Sequence, residues 1–307
     1  MADFLPWPHP VGIVGAGNMG GGMVQRLRGL DLSVGVCDLD PVMQNRAVQY
    51  GATVLATPKA LAQSLGTGPA VLMVVVVDQA QTEAVLWGPD GAAQALGPGQ
   101  TVWLCPTLGP ADVEAHAKRL TARGIGVLDA PMSGGPARAA AGTMSLMVAG
   151  AESTWQVCAP LLARVAQPVF RIGECCGDAA RTKLINNLLA SIHLVGAAEA
   201  LALAERMGLD AGRTLSVIEA SSGQSWVGTD RMRRALAGQT TPLAHVRLLA
   251  KDTRLALQAA ADLPDAVQPV LGQLAAGVFA RCMALGLEDQ DDSVLLAHLR
   301  EFIGRAP

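Results

Sequence analysis

The sequence lacks a strong charge of either sign, a long apolar run and any metal-type spacing of cysteines. Its 307 residues carry a net charge of −3, with no concentrated basic face of the kind nucleic acid requires. The densest basic run, RMRR (Arg231 to Arg234), reads as a solvated helix face. The longest purely apolar run, AVLMVVVV (Ala70 to Val77), is far too short to span a bilayer and reads as a buried strand. Neither nucleic acid nor membrane is therefore expected as a partner. The six cysteines (Cys37, Cys105, Cys158, Cys175, Cys176, Cys282) show no zinc-type spacing and are expected to be buried thiols. The five histidines are scattered singly, so no metal site is expected. The opening MADFLPWPHP has neither the basic start nor the apolar core of an export signal, which points to a cytoplasmic location. What is present is apolar content: 50% of residues are hydrophobic. That composition belongs to a globular chain with a sizeable core, in one large domain or two ordinary ones.

The two halves have different rhythms. In the first, VGIVG, SVGVCD, AVLMVVVV, TVWLC and GIGVLDAP read as strands, most of them separated by helix-length segments. Strands alternating with helices predict a doubly wound parallel sheet covered on both faces. Two more β-like runs follow, TMSLMVAG and PVFRIG. After Gly177 the strand signals stop. Residues 178–206 form one long helical pattern, and AGRTLSVIEAS, VRLLAKDTRLALQAAADL, VLGQLAAGVFARCMALG and DSVLLAHLREFI read as further helices. The fold class expected is α/β followed by all-α, with residues 1–175 as a dinucleotide-binding domain and 176–307 as an all-helical domain for substrate and dimerisation.

GAGNMG (Gly15, Gly17 and Gly20, with Asn18 and Met19 between) follows the first strand and opens a helix. Glycines at those three positions permit a tight turn and let backbone N–H groups approach a pyrophosphate at a helix N-terminus. Asp38 ends the next strand, eighteen residues past Gly20, where a carboxylate accepts bonds from ribose hydroxyls. It would repel a 2′-phosphate, so NAD is expected over NADP. Ser133-Gly134-Gly135 follows the last parallel strand, where ligands of such sheets gather. A serine hydroxyl and exposed glycine N–H groups suit a small carboxylate, and an ordinary Ser-Gly-Gly turn is equally open.

GDAARTKLINNLLASIHL places Lys183 and Asn187 four residues apart, on one helix face, with Asn186 turned aside by about 100°. Most helix lysines extend into water. The turns that follow are too apolar for a surface helix, so Lys183 is expected beside a cleft rather than in solvent. Partial burial would lower its pKa from roughly 10.4 toward the range useful for proton transfer. Asn187 can donate one bond to a substrate and accept another.

GAGNMGGGM, DAPMSGG, GDAARTKLINN and LLAKDTRLAL resemble, in order and spacing, the four signatures of the β-hydroxyacid dehydrogenases, the family that includes 3-hydroxyisobutyrate dehydrogenases. The resemblance runs from about Val11 to Leu296. It implies a Rossmann domain, a helical domain and an active site between them. It implies Lys183 as general acid/base, Ser133, Gly134 and Asn187 as substrate anchors, and Lys251 and Thr107 beside the cofactor. Val77, at the end of the apolar run, falls among the cofactor-binding positions. SSGQSW, TTPLAHVRLLAKD and GLEDQDDSVL are most similar to the L-threonate dehydrogenase branch, which implies an NAD-dependent oxidation at the β-hydroxyl of a small sugar acid. Trp226 would wall the pocket or be a core residue.

Three departures bear on pocket shape. Pro106-Thr107 replaces a common Ser-Thr pair, Met132 a valine, and Asp78 a proline. Asn186 and Ala190 stand where 6-phosphogluconate dehydrogenases carry a histidine and a glutamate, so oxidative decarboxylation is disfavoured. Imine reductases of similar shape usually replace the lysine that this chain keeps. The alternatives within the family are 3-hydroxyisobutyrate dehydrogenase and tartronate semialdehyde reductase; outside it, a non-catalytic dinucleotide-binding scaffold. The apolar helix 188–204 suits a subunit interface as well as a core, and a homodimer or homotetramer is expected.

Overall fold

A computed structural model describes residues 6–239 and 241–303. The chain divides into two compact units, Met1–Lys183 and Leu184–Pro307, with the division inside one continuous helix. The first unit contains strands β1 (Val11–Val14), β2 (Val34–Cys37), β3 (Thr53–Val54), β4 (Ala70–Val74), β5 (Gln100–Leu104), β6 (Gly126–Asp129), β7 (Met132–Ser133), β8 (Ser145–Ala149) and β9 (Val169–Gly173). Its helices are α1 (Asn18–Arg28), α2 (Pro41–Gln49), α3 (Pro58–Ser64), α4 (Gln79–Trp87), α5 (Pro110–Thr121), α6 (Gly135–Ala141) and α7 (Glu152–Val165). The long helix α8 (Asp178–Arg206) leads into α9 (Ala211–Glu219), α10 (Trp226–Leu236), α11 (Val246–Ala261), α12 (Val270–Ala284) and α13 (Leu295–Ile303). The α/β-then-all-α expectation is met.

The sheet runs β3-β2-β1-β4-β5-β6-β8-β7, with β9 paired to β8. It is parallel from β3 to β6, and β8 is antiparallel to β6 and β7. Chain order reverses direction at β1, leaving a crevice between β1 and β4, where sheets of this kind bind ligands. The central strands are continuous apolar runs because helices cover both faces. Val11, Ile13, Leu72, Met73, Val102 and Trp103 are all buried. The apolar run Ala70–Val77 is a strand only to Val74; its last three residues turn into the loop ahead of α4 and Val77 is exposed. The short β3 and β7 have too few residues to show an alternation.

Gly22 decides how α1 packs. A Cβ there would lie 2.9 Å from the Ala139 Cβ and 2.9 Å from the Pro136 carbonyl oxygen. Only glycine therefore lets α6 lie against α1. His116 is one of the scattered histidines, and it is buried and satisfied. Its Nδ1 accepts from the Trp87 indole N–H (3.0 Å) and its Nε2 meets Gln79 Oε1 (2.9 Å). Burial holds its pKa below the ordinary value. Four cysteines are buried thiols as expected; Cys175 is instead exposed and Cys176 half-buried, and all six are free.

The second unit corrects one expectation. RMRR is not a solvated face, because α10 turns two of its arginines inward. Arg234 is 7% exposed and donates to Asp291 (2.8 Å), and Arg231 donates to Asp292 (2.7 Å). Arg233 alone behaves as a surface group, paired with Glu219. Asp291 also accepts the N–H groups of Leu243 and Ser293, and these bonds hold its carboxyl down at about 2 despite burial. The cluster pins two loops to α10. By length and composition alone, α8 could cross a membrane, a test that core helices of non-membrane proteins also pass. Its ends are engaged by protein groups: Asp129 at the start and, through Glu205, Arg300 near the finish.

Removing one partner from a buried ion pair strands the other charge. Arg234→Ala is expected to cost about 3–5 kcal/mol, read as a lower urea midpoint at pH 7, whereas Arg233→Ala should change it little.

Candidate active site

The crevice side of the first unit begins at Gly15, whose φ is +92°. A Cβ there would collide with the Val75 carbonyl of the neighbouring strand end, and one on Gly20 would collide with the Gly15 carbonyl. Gly17 differs, since a Cβ there would meet nothing within 4 Å. Its glycine is not required by protein packing, and the space it leaves lies at the N-terminus of α1, where Gly17 caps without a side-chain bond. Such a terminus offers N–H groups and positive dipole to a pyrophosphate. The residues present thus fit a dinucleotide.

Asp38 lies at the carboxyl end of β2. Its Oδ2 accepts the Ala16 N–H (2.5 Å) and its Oδ1 the Asp40 N–H (2.8 Å). These bonds fix the carboxylate beside the glycine turn with lone pairs remaining for ribose hydroxyls. Asp40 adds a second carboxylate while capping α2 through the Val42 N–H. Asn18, Met19, Val77 and Thr107 all stand at loop or helix positions following β1, β4 and β5. The Val77 N–H donates to Gln81 (3.0 Å), and Asp78 caps α4.

Ser133 is the last residue of β7, paired with Ser145 of β8, whose hydroxyl donates to the Ser133 carbonyl (3.2 Å). Gly134 and Gly135 have φ of +133° and +77°, in the region that glycine tolerates best. The turn delivers the chain into α6, which Gly22 holds against α1.

Lys183 lies less than two turns into α8 and is only 6% exposed, so it does not extend into water. The start of α8 is held by Asp129. This carboxylate, 1% exposed, accepts the N–H groups of Gly177 (2.8 Å) and Ala180 (2.9 Å) on Oδ2. Burial raises its pKa to about 6, against the pull of those N–H groups.

In the second unit, Asn187 donates to Asp252 (2.6 Å) and Lys251 donates to the other oxygen of the same carboxylate (2.7 Å). Asp252 is 7% exposed. Asp252 is not among the residues singled out from the sequence. No local spacing reveals it, because the partner Asn187 lies 65 residues away in sequence. Asn186 is not simply turned aside, for its amide donates to Asn187 Oδ1 (3.0 Å). Ser191 and Thr253 share a buried bond (2.6 Å) one turn along. Trp226 starts α10 and is 56% exposed, with Arg231 5.7 Å from the ring centroid, so it is not a core tryptophan.

Comparison with known proteins bears on this arrangement. Residues 10–175 match the model of the NAD-binding domain of 6-phosphogluconate dehydrogenase. Residues 177–299 match the NAD-binding domain of NADP-dependent 3-hydroxyisobutyrate dehydrogenase. The chain belongs to the β-hydroxyacid dehydrogenase family. It is an NAD-binding hydroxyacid dehydrogenase, an oxidoreductase acting on CH–OH groups. An L-threonate dehydrogenase of Cupriavidus necator is 37% identical over 286 residues, covering 93% of this chain and 94% of that protein. A solved structure described as 3-hydroxyisobutyrate dehydrogenase from Salmonella typhimurium is 33% identical with a TM-score of 0.84, covering 94% of this chain and 99% of that one. Psf3, solved with NADP+ and 2-OPP, is 25% identical with a TM-score of 0.85 and covers 94% and 99%.

The glycines differ in what they tolerate. Gly17→Val is expected to leave the melting temperature near wild type and to raise the NAD Kd at least about tenfold, since the side chain fills the ligand's space. Gly20→Val should instead cost about 3 kcal/mol through overpacking; calorimetric melts and titrations separate the two.

Proposed function

We propose that the protein oxidises a hydroxyl group of a small sugar acid of the L-threonate type, using NAD and Lys183 as general base. The carrying observation is Lys183, a buried lysine near the head of a helix whose start is tied to the strand that leads into Ser133. The similarity to L-threonate dehydrogenases over 93% of the chain supports the substrate class.

In this reading the Ser133 hydroxyl and the Gly134 and Gly135 N–H groups receive the substrate carboxylate. Asn187 Oδ1 accepts from Asn186 and one of its N–H groups goes to Asp252, so the second amide N–H donates to the substrate hydroxyl oxygen and orients it. The Lys183 amine takes the hydroxyl proton as the C–H bond breaks, leaving a carbonyl. NAD, when bound, accepts the hydride. Gly15, Gly17, Asn18, Met19, Gly20, Asp38, Val77, Thr107 and Lys251 hold the cofactor, and the two carboxylates after β2 disfavour a 2′-phosphate there. Trp226 supplies an apolar pocket wall. The oxidation is at the β-hydroxyl, and the protein works in the cytoplasm as a homodimer or homotetramer.

NADH formation with L-threonate, D-erythronate, 3-hydroxyisobutyrate and glycerate tests the substrate class, with L-threonate expected to give the highest kcat/KM. Carbon NMR of the product reads the position: a 3-oxo acid supports the β-hydroxyl, and a 2-oxo acid moves the oxidation to the α-carbon. Lys183→Ala should lower kcat by about 10²–10⁴ while leaving the NAD Kd unchanged. A wild type that binds NAD but turns over none of the four acids would favour the scaffold reading.

Asp252→Asn keeps the shape but leaves one acceptor oxygen where two donors need one each. Because Asn187 and Lys251 both donate to Asp252, the single amide oxygen can serve only one of them, and kcat/KM is expected to fall about tenfold or more, as mispositioned groups do. A double variant with Asn187→Asp lets the amide N–H donate to the carboxylate introduced on α8 and the amide oxygen accept from Lys251, so it should regain melting temperature and not turnover.

A further inference from the structure

We propose that Asp129 is a positioning residue for the reaction, setting Lys183 in register with the Ser133-Gly134 loop; the inference rests on the roles of Lys183 and Ser133 proposed above. Three observations lead to it.

First, Asp129 is the last residue of β6, and the chain reaches Ser133 only four residues later. Its own backbone is fixed at that point by pairing with Ala149 of β8 and with Leu104 of β5. Second, its Oδ2 accepts two N–H groups from the first turn of α8 and the residue before it, Gly177 and Ala180. Those are donors that no helix carbonyl can reach. One carboxylate thus joins the strand end that leads into the substrate loop to the helix that carries the lysine, and all of these residues lie within the first unit. Third, Asp129 is almost fully buried and its Oδ1 has no hydrogen-bond partner among the described residues. Burying a carboxyl with an unpaired oxygen is costly. A fold that needed only a capped helix would meet the need with a serine, threonine or aspartate at the cap itself. Here the position before α8 is Gly177, with φ +105°, and the cap is imported from a strand 48 residues away in sequence.

The geometry of the helix makes the consequence specific. Lys183 is three residues past Ala180, the last residue bound to Asp129, so a shift or fraying of the first turn moves its amine by about the same amount as the turn itself. Displacements of about 1 Å can cost roughly 100-fold in rate when the reacting groups must be in near-attack geometry. The glycine cradle is at the amino end of α1 and does not depend on Asp129, so NAD binding should be spared. Cys176, the neighbouring residue, contributes only weak contacts from Sγ to the Val127 and Ala149 carbonyls (3.9 Å each), and these cannot substitute for the carboxylate.

The test compares Asp129→Ala and Asp129→Asn with Lys183→Ala in the full-length protein, reading kcat, KM for the acid substrate, NAD Kd and melting temperature. The alanine variant removes the acceptor and is expected to lower kcat at least about tenfold, with the NAD Kd within twofold of wild type. The asparagine variant keeps an amide oxygen for the same two N–H groups and should recover kcat to within about threefold of wild type. An Asp129→Ala protein that melts lower yet keeps wild-type kcat would reduce Asp129 to a structural cap and overturn the inference. Loss of NAD binding in proportion to kcat would do the same, because it would signal global unfolding. If Asp129→Asn is as slow as Asp129→Ala, accepting the two N–H groups is not what matters, and the inference also fails. The underlying roles are checked separately: if Lys183→Ala retains turnover, the proposed lysine chemistry is wrong whatever the Asp129 variants do.

Discussion

The closeness of packing just past the carboxyl end of β1 is the constraint on which the rest of the first unit depends. At Gly15, Gly20 and Gly22 the neighbouring atoms leave room for hydrogen only. Those contacts set α1 against the ends of β1 and β4 and seat α6 on α1. The turn at Ser133 is then held by the same helix that would offer its N-terminus to a pyrophosphate. The glycine turn and the Ser133-Gly134-Gly135 loop are thus products of one packing arrangement, and they cannot drift apart independently. Gly17 is the exception: open space beside it in the protein alone is what a ligand-binding glycine, as opposed to a packing glycine, looks like.

A second theme is the use of buried carboxylates as brackets. Asp129 gathers N–H groups at the start of α8, Asp252 gathers the side chains of Asn187 and Lys251, and Asp291 gathers Arg234 and two loop N–H groups. A carboxylate can accept about four hydrogen bonds, so one residue can coordinate several elements where a hydroxyl would hold one. The three differ in net electrostatics. Arg234 and its fellow donors hold Asp291 well below the usual carboxylate range, whereas burial pushes Asp129 above it despite its N–H donors.

Much of this was legible from residues alone. Most strands of the first unit announced themselves as β-branched runs, and α8 as an unbroken helical pattern over 178–206. GAGNMG was readable as a strand-to-helix turn, Asp38 as the end of the next strand, and Lys183 and Asn187 as residues of one helix. The misses share a cause. RMRR looked solvated because its partners, Asp291 and Asp292, lie some sixty residues downstream, and no local pattern reveals such a pairing. Asp129 and Asp252 were hidden inside motifs whose neighbours drew attention, and only tertiary hydrogen bonds show what they hold. The two shortest strands, β3 and β7, carried too few residues for a periodicity. The helix under RMRR was legible, and what its run of charge concealed was that Arg231 and Arg234 turn inward.

The cysteines give the molecule one unintended property. Burial raises the thiols of Cys37, Cys176 and Cys282 to about 11, and it keeps Cys105 and Cys158 protonated as well. Since the thiolate is the form that attacks electrophiles, those five are poor targets at neutral pH. Cys175 alone stands in solvent, three residues ahead of the helix that carries Lys183. A maleimide dye would therefore settle there in preference, giving a native attachment point for fluorescence without engineering a new one.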